Sequence, residues 1–363
     1  MSDHFYAVIM AGGGGTRLWP VSRQKKPKQL IQIFKNRSPF QIAIDRLDGF
    51  IPAKQIYVVT VADQVKLLHQ QAPKLKKQNF LIEPQPRGTA AVVAMAAAAI
   101  HQQDPDAVLA ILTADHIIKN TSSFRESLQS ARAIANSGFI VLLGIHPTYP
   151  ATGYGYIESG ARIEEFDQKN AFHVKRFTEK PDSKRAEEFF HTPGMNWNSG
   201  MFISRADVLL EEYRKFMPEL SATMENLAPY LGKDHLMQEF VQQWTSIVPQ
   251  TIDYGIIEKT SLAAVLQVED LGWNDIGSWD SFFEIASADA NGNIILEGTH
   301  IGLDTRNSLV VSTDQNRLVV TLGVKDMIII QTQDALLICP RGESQRVKDL
   351  VNYLKENHFT FYV

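Results

Sequence analysis

Over the first 145 residues the apolar positions follow two patterns in turn. Short runs rich in Val, Ile and Leu fall at 5–10 (FYAVIM), 56–60 (IYVVT), 79–84 (NFLIEP), 107–113 (AVLAILT) and 139–144 (FIVLLG). Between them, 62–71, 88–102 and 122–136 have helical spacing. A fourth helix opens at Ser38-Pro39, with Ser38 as N-cap and Pro39 as first helical residue. Continuously apolar strands separated by helices predict an α/β fold. Its expected core is a Rossmann-like, mostly parallel sheet with helices on both faces. Such sheets bind ligands beyond the carboxyl ends of their strands. The stretch after the first run and Asp115 after the fourth stand at such ends.

From 150 to 290 the pattern is less regular and richer in polar clusters. GYGYIES (153–159), FHVKRFT (172–178) and WNSGMFISR (197–205) read as strands, 183–191 as a helix, and LGWNDIGSW (271–279) as a loop. After about 291 a short unit recurs: NSLVVS, NRLVVT, KDMIII and DALLIC, with Leu309, Leu318, Met327 and Leu336 spaced by nine residues. A fixed short period of strand plus turn predicts stacked strands in a small β-helix-like domain. An amphipathic helix over 343–357 follows. The expected division is a catalytic domain over 1–290 and a β-helix-like domain over 291–363. So short a stack exposes edges and an apolar face, so a partner subunit is expected to cover it, in a homodimer.

Composition narrows the partners. The 363 residues carry a formal net charge of −4, 44% hydrophobic and 21% charged residues, which is ordinary for a globular protein. The acidic balance argues against a general nucleic-acid or membrane surface. The longest near-apolar run, 90–100, falls short of the roughly 20 residues a membrane span needs. A single cysteine, Cys339, allows no intrachain disulfide and fits a reducing, cytoplasmic setting. No basic region precedes a long apolar stretch at the N-terminus, so no signal peptide is expected.

The first strand empties into AGGGGTRLWPVSRQKKPKQL (11–30). A glycine loop at a strand end brings backbone N–H groups close to a guest, and neighbouring cations suit a polyphosphate. Two familiar patterns are excluded. A dinucleotide fingerprint starting at Gly12 would need glycine where Arg17 stands, and no Gly-Lys-Ser/Thr of a P-loop follows.

GGGGTRLWP with PKQL resembles the signature of the sugar-1-phosphate nucleotidylyltransferases. Trp19 and PKQL make it more like their mannose-1-phosphate guanylyltransferase branch. EPQPRGTA, TADH, GYGYIE, FTEKPD, WNSGMF, DYGIIEK and WNDIGSW continue the resemblance in the family's order over roughly residues 5–285. The tail is similar to the short left-handed β-helix of the monofunctional members, and the chain ends before the fused isomerase module of longer ones. Where many members read Arg-Asn-Thr-Ala, this chain has Arg87-Gly88-Thr89-Ala90.

The resemblance implies attack by a sugar-1-phosphate oxygen on the α-phosphorus of a nucleoside triphosphate, expelling pyrophosphate. The nucleophile is already an anion, so catalysis rests on positioning and electrostatics, with Mg²⁺ as the main device. Mg²⁺ takes one or two carboxylates plus phosphate oxygens, and the resemblance places Asp115 and Asp275 there. Arg17 and Lys28 are expected on the triphosphate, with Lys25 and Lys26 as ordinary surface charge. Ala11, Gly12, Gly13, Gly14, Gly15, Thr16, Glu83, Arg87, Gly88 and Thr89 are expected to hold the nucleotide, Glu83 accepting from guanine N–H groups. Gly153, Glu179, Lys180, Asn198, Gly200 and Asp253 are expected around the sugar phosphate, Lys180 on the phosphate and Glu179 on the hydroxyls. Trp273 and Trp279 read as packing residues.

The expected substrates are GTP and mannose 1-phosphate, giving GDP-mannose. Another NTP, or a heptose- or glucose-type sugar 1-phosphate, remains open. So does a non-catalytic subunit that binds sugar nucleotides, although Arg17, Lys28, Asp115, Lys180 and Asp275 are all present.

Overall fold

A computed structural model describes residues 4–13, 15–23, 26–34, 36–231 and 238–363. Gly14 and Lys25 lie outside the described residues. The chain forms two compact units: one of residues 1–12, 44–114 and 118–273, the other of 13–43, 115–117 and 274–363. The second unit gathers the tail together with two segments that lie far from it in sequence.

In the first unit, nine strands form one sheet: β1 (Phe5–Met10), β2 (Ile56–Val61), β3 (Phe80–Glu83), β4 (Val108–Thr113), β5 (Ile140–Ile145), β6 (Tyr156–Arg162), β7 (Ala171–Thr178), β8 (Met195–Arg205) and β9 (Ala263–Val268). Their order is β3-β2-β1-β4-β8-β5-β9-β7-β6. The pairs β3–β2, β2–β1 and β1–β4 are parallel, as the apolar runs predict. The sheet as a whole is mixed. β8 runs antiparallel to both neighbours, β4 and β5, and β7 runs antiparallel to β9 and β6. β6 also pairs with β8, closing a ring of five strands. The alternating polar residues of β6 and β7 fit this antiparallel half, while the buried parallel strands read as unbroken apolar runs.

Helices α1 (Pro39–Asp45), α2 (Ala62–Gln71), α3 (Thr89–Gln103), α4 (Thr121–Asn136), α5 (Ser183–Phe190), α6 (Ala206–Phe216), α7 (Pro218–Leu227) and α8 (Gln238–Ser246) connect these strands. The alanines of α3 let its backbone lie close to Val8, Leu109 and Ile111, and α6, α7 and α8 pool Leu209, Tyr213, Met224 and Trp244 into the same core. α4 packs on β4, β5 and β8 through Phe124, Leu128, Ala131 and Ile134, which stand outside that cluster. The predicted N-cap is present and is half of a reciprocal capping box. Ser38 Oγ accepts the Gln41 N–H at 3.1 Å and Gln41 Oε1 accepts the Ser38 N–H at 3.0 Å. No helix among the described residues is long and apolar enough to cross a membrane.

The second unit stacks β10 (Ile294–Glu297), β11 (Thr299–Leu303), β12 (Leu309–Ser312), β13 (Leu318–Leu322), β14 (Met327–Gln331) and β15 (Leu336–Pro340), followed by a last helix, Val347–Glu356. The nine-residue period is half a coil. β11 pairs in parallel with β13 (Thr299↔Leu318) and β12 with β14 (Leu309↔Ile328). β10, β11 and β12 therefore each stack on the next strand but one, and an antiparallel β14–β15 hairpin ends the stack. Leu309, Val311, Ile328 and Ile330 share one core with Leu18, Trp19, Trp279 and Phe282. Trp279 is fully buried and donates to the Trp19 carbonyl at 3.0 Å, which bears out its reading as a packing residue.

Replacing Ser38 with Ala removes half of the capping box. Urea unfolding should show a loss of about 1 kcal/mol, with the m-value unchanged.

Candidate active site

The expected site residues fall into two groups, one in each unit. In the second unit, the glycine loop ends in a single turn, Thr16–Leu18, with Arg17 exposed to solvent. Gly15 has φ +50°, and a Cβ there would stand 2.5 Å from Lys28 Cβ. Only glycine lets the two segments touch at this point. Lys28 is thereby held with its side chain only 11% exposed, and its Nζ lies 3.0 Å from Asp115 Oδ2. The same ammonium donates to the main-chain carbonyls of Asp275 at 2.6 Å and Ile276 at 3.0 Å. Asp275 sits in a tight turn in which its Oδ1 accepts the Gly277 N–H at 2.9 Å. Burial pushes the Asp115 carboxyl up, but the charges of Lys28 and His116 and the Lys28 hydrogen bond outweigh it and hold the group below its usual range.

These residues fit a Mg²⁺ ion on the chemistry of the donors. Asp115 and Asp275 would supply hard carboxylate oxygens, and a cationic group already rests among the Asp115 carboxylate and the main-chain carbonyls of Asp275 and Ile276.

In the first unit, the carboxyl end of β1 carries Ala11 and Gly12. Ala11 is fixed by its N–H to the Val59 carbonyl at 2.9 Å. A Cβ on Gly12 would stand 3.0 Å from Glu83 Oε1. Glu83, 2% exposed at the end of β3, has one carboxylate oxygen with no partner. Burial pushes its pKa up to about 7, against the N–H of Arg87, which favours the charged form.

The loop after Glu83 hangs from the segment 244–252. Trp244 Nε1 donates to the Gln85 carbonyl at 2.8 Å, the Gln250 N–H to the Arg87 carbonyl at 3.3 Å and the Ala90 N–H to the Gln250 carbonyl at 3.2 Å. The Ile252 N–H donates to Thr89 Oγ1 at 3.0 Å, and the Arg87 guanidinium takes the Thr245 carbonyl. Thr89 and Arg87 thus hold the loop in place. Gly88 has φ +84°, and a Cβ there would lie 2.2 Å from the Gln250 carbonyl oxygen. An asparagine at this position would strain the backbone and drive off Gln250, which accounts for the departure from Arg-Asn-Thr-Ala.

The same segment continues into the single helical turn Asp253–Ile257, which leads to the sugar-phosphate residues. Asn198 Nδ2 donates to Asp253 Oδ1 at 3.1 Å, and Asn198 Oδ1 accepts the Gly200 N–H at 3.0 Å, with Gly200 at φ +68°. Lys180, itself at φ +41°, pairs with Glu179. Burial, then the charge of Glu179, pushes Asp253 up to about 6, while Lys180 and Asn198 oppose the shift. Gly153 borders open space. The glycine that touches this group is Gly155. A Cβ on it would stand 2.6 Å from Glu179 Oε2, and its carbonyl accepts the Asn198 N–H at 2.7 Å. Tyr154, Trp197 and Trp273 form an aromatic wall beside it, with ring centroids 5.0 and 5.1 Å apart. Sequence reading passed over Gly155, Tyr154 and Trp197 and took Trp273 for a packing residue, although the alternation of GYGYIE marks Gly155 as readily as Gly153.

Comparison with known proteins places the chain in a family. The family model for nucleotidyl transferases matches residues 6–292, and that for the mannoseP isomerase/GMP-like beta-helix domain matches residues 298–354. The fold is therefore that of a nucleotidyl transferase carrying a beta-helix domain. Mannose-1-phosphate guanylyltransferase 2 of Escherichia coli O157:H7 is 36% identical over 100% of this chain and 76% of its own length. The mannose-1-phosphate guanylyltransferase of Escherichia coli strain K12 is 36% identical over 96% of this chain and 73% of its own length. A crystal structure described as mannose-1-phosphate geranyltransferase from Thermus thermophilus superposes with a TM-score of 0.85 at 29% identity, over 97% of this chain and 99% of that one. The chain belongs to the mannose-1-phosphate guanylyltransferase family.

Glu83 provides a test of the burial of this site. Its folded pKa of about 7 lies above the unfolded 4.5, so the native state binds the extra proton between those values. The stability this supplies is complete below about pH 4.5 and is lost as pH rises through about 7, a loss of roughly 3 kcal/mol. Glu83→Gln does not titrate there. Urea unfolding should show the variant gaining on the wild type between pH 5 and pH 8.5. An equal difference at both pH values would contradict the assignment.

Proposed function

We propose that this chain transfers GMP from GTP to mannose 1-phosphate, releasing GDP-mannose and pyrophosphate. The end-to-end similarity to guanylyltransferases carries the reading, and the two charged groups supply the chemistry. Lys180 takes the sugar phosphate, while Glu179, Asn198 and Asp253 accept from or donate to its hydroxyls, with Gly155 and Gly200 allowing the close approach. A phosphate oxygen of mannose 1-phosphate attacks the α-phosphorus of GTP. The new P–O bond forms as the bond to the β-phosphate breaks, and pyrophosphate leaves with its electron pair. No base is needed, because the attacking oxygen is already charged.

Arg17, with the loop N–H groups of 12–16, meets the triphosphate. Glu83, once ionised, accepts from guanine N1–H and N2–H₂. Asp115 and Asp275 would hold Mg²⁺, which neutralises the phosphates and the charge that develops on them. Cys339, the lone cysteine, has its thiol pushed up to about 11 by burial and by Asp280 and Glu343, which disfavours the thiolate, and the reading includes a cytoplasmic setting.

The reading also includes a homodimer through the second unit. Leu318, Val320 and Leu322 of β13 and Leu336 and Ile338 of β15 are 53–74% exposed. They line one open apolar face, of a kind that soluble monomers rarely leave bare. A second copy presenting the same face would cover it.

Pyrophosphate release, measured with each of the four NTPs and with mannose and glucose 1-phosphates, should be fastest with GTP and mannose 1-phosphate; no release with that pair would end the proposal. Asp275→Asn should lower kcat by a factor on the order of 100 with an unchanged circular-dichroism spectrum. In light scattering the wild type should run at twice the 40.7 kDa chain mass, and Val320→Glu/Leu322→Glu at the single-chain mass.

A further inference from the structure

The ammonium of Lys28 has three N–H bonds, and three oxygens take them: Asp115 Oδ2 at 3.0 Å and the carbonyls of Asp275 and Ile276 at 2.6 and 3.0 Å. None is left for a phosphate. The lysine is not there by chance of a floppy side chain. Its side chain is only 11% exposed, and Gly15 packs against its backbone and Cβ. One carboxylate and two carbonyls are the donors a hard divalent cation prefers, and here a side-chain cation occupies them.

We propose that Lys28 is an internal place-holder for the metal. In the free enzyme its ammonium neutralises Asp115 and ties down the Asp275 turn. When a metal–nucleotide arrives, the divalent ion takes over Asp115, and the released ammonium turns its N–H groups to the triphosphate. The proposal rests on the reading of Asp115 as a metal ligand.

Two consequences follow from mass balance among charges. A metal ion alone must evict an ammonium that has nowhere equally good to go, so it binds weakly. A nucleotide offers the evicted ammonium a new anionic partner, so metal and nucleotide bind cooperatively, each raising the affinity for the other by the same factor. The device prevents an uncompensated carboxylate in the resting enzyme, and it makes occupancy of the metal position conditional on substrate.

The test is Mn²⁺ binding followed by electron paramagnetic resonance, without turnover, on wild type, Lys28→Met, Lys28→Gln, Lys28→Arg and Asp115→Asn. Lys28→Gln keeps two N–H donors for the carbonyls of Asp275 and Ile276 while losing the charge, so it serves if the methionine variant folds poorly. Without nucleotide, Lys28→Met and Lys28→Gln should bind Mn²⁺ about tenfold more tightly than wild type, Lys28→Arg should bind as weakly as wild type, and Asp115→Asn should lose the site. Equal or weaker Mn²⁺ binding in the neutral variants, with Asp115→Asn still defective, overturns the place-holder role and leaves the metal assignment standing. Wild-type Mn²⁺ binding by Asp115→Asn overturns the metal assignment itself, and the proposal with it.

Discussion

One strand running against its neighbours sets the geometry of the first unit. β8 lies between β4 and β5 and is antiparallel to both. Its first residues therefore sit where those parallel neighbours end, and Asn198 and Trp197 pair with Gly144 and Ile145. A parallel strand in that place would present its carboxyl end there and send its first residues to the far edge. Because β6 pairs with β8 as well as β7, the sheet closes on itself, and the turn after β7, with Glu179 and Lys180, comes to the same group as Asn198 and Asp253.

Three acids, one buried and two half-buried, show how local charge decides the character of the two groups. Glu83, Asp115 and Asp253 all meet a desolvation cost that favours the neutral form. Asp115 alone has an ammonium in direct contact, and it alone is driven toward the charged form. Asp253 has a lysine nearby, but that lysine is paired to Glu179, whose own charge pushes Asp253 the other way. Glu83 has only backbone help. The acid proposed for a divalent ion is thus kept ionised, and the acids proposed for hydroxyls or a base edge titrate closer to neutrality.

Much of this was legible beforehand. The parallel strands and α2, α3 and α4 showed in the alternation of runs, because a buried parallel strand and an alanine-rich helix have unmistakable patterns. The antiparallel insertion of β8 did not show, since WNSGMFISR has no feature that states its direction; direction is set by which neighbours it pairs with, many residues away. The nine-residue period was plain, but its meaning as half a coil was not. Periodicity gives spacing along the chain and says nothing of which strand lies on which. Motif order marked Lys28, Asp115 and Asp275 as residues to watch, and the fold brings the three together, but their hydrogen bonds depend on Gly15 and on segments that meet only on folding. Arg87 and Thr89 were expected at the nucleotide from the resemblance of EPQPRGTA; what the sequence did not show is that Thr89 Oγ1 and one guanidinium nitrogen of Arg87 also tie the loop to the segment that begins at Trp244.

That tie has an evolutionary reach. The segment from Trp244 to Ile257 holds the loop that follows Glu83 by five hydrogen bonds and, a few residues later, presents Asp253 to Asn198. The proposed surroundings of the base and those of the sugar are therefore tied together through one stretch of backbone. A lineage that altered this stretch to accept a different base would shift the acid at the sugar in the same step, so changes of donor and of acceptor preference should arise as pairs.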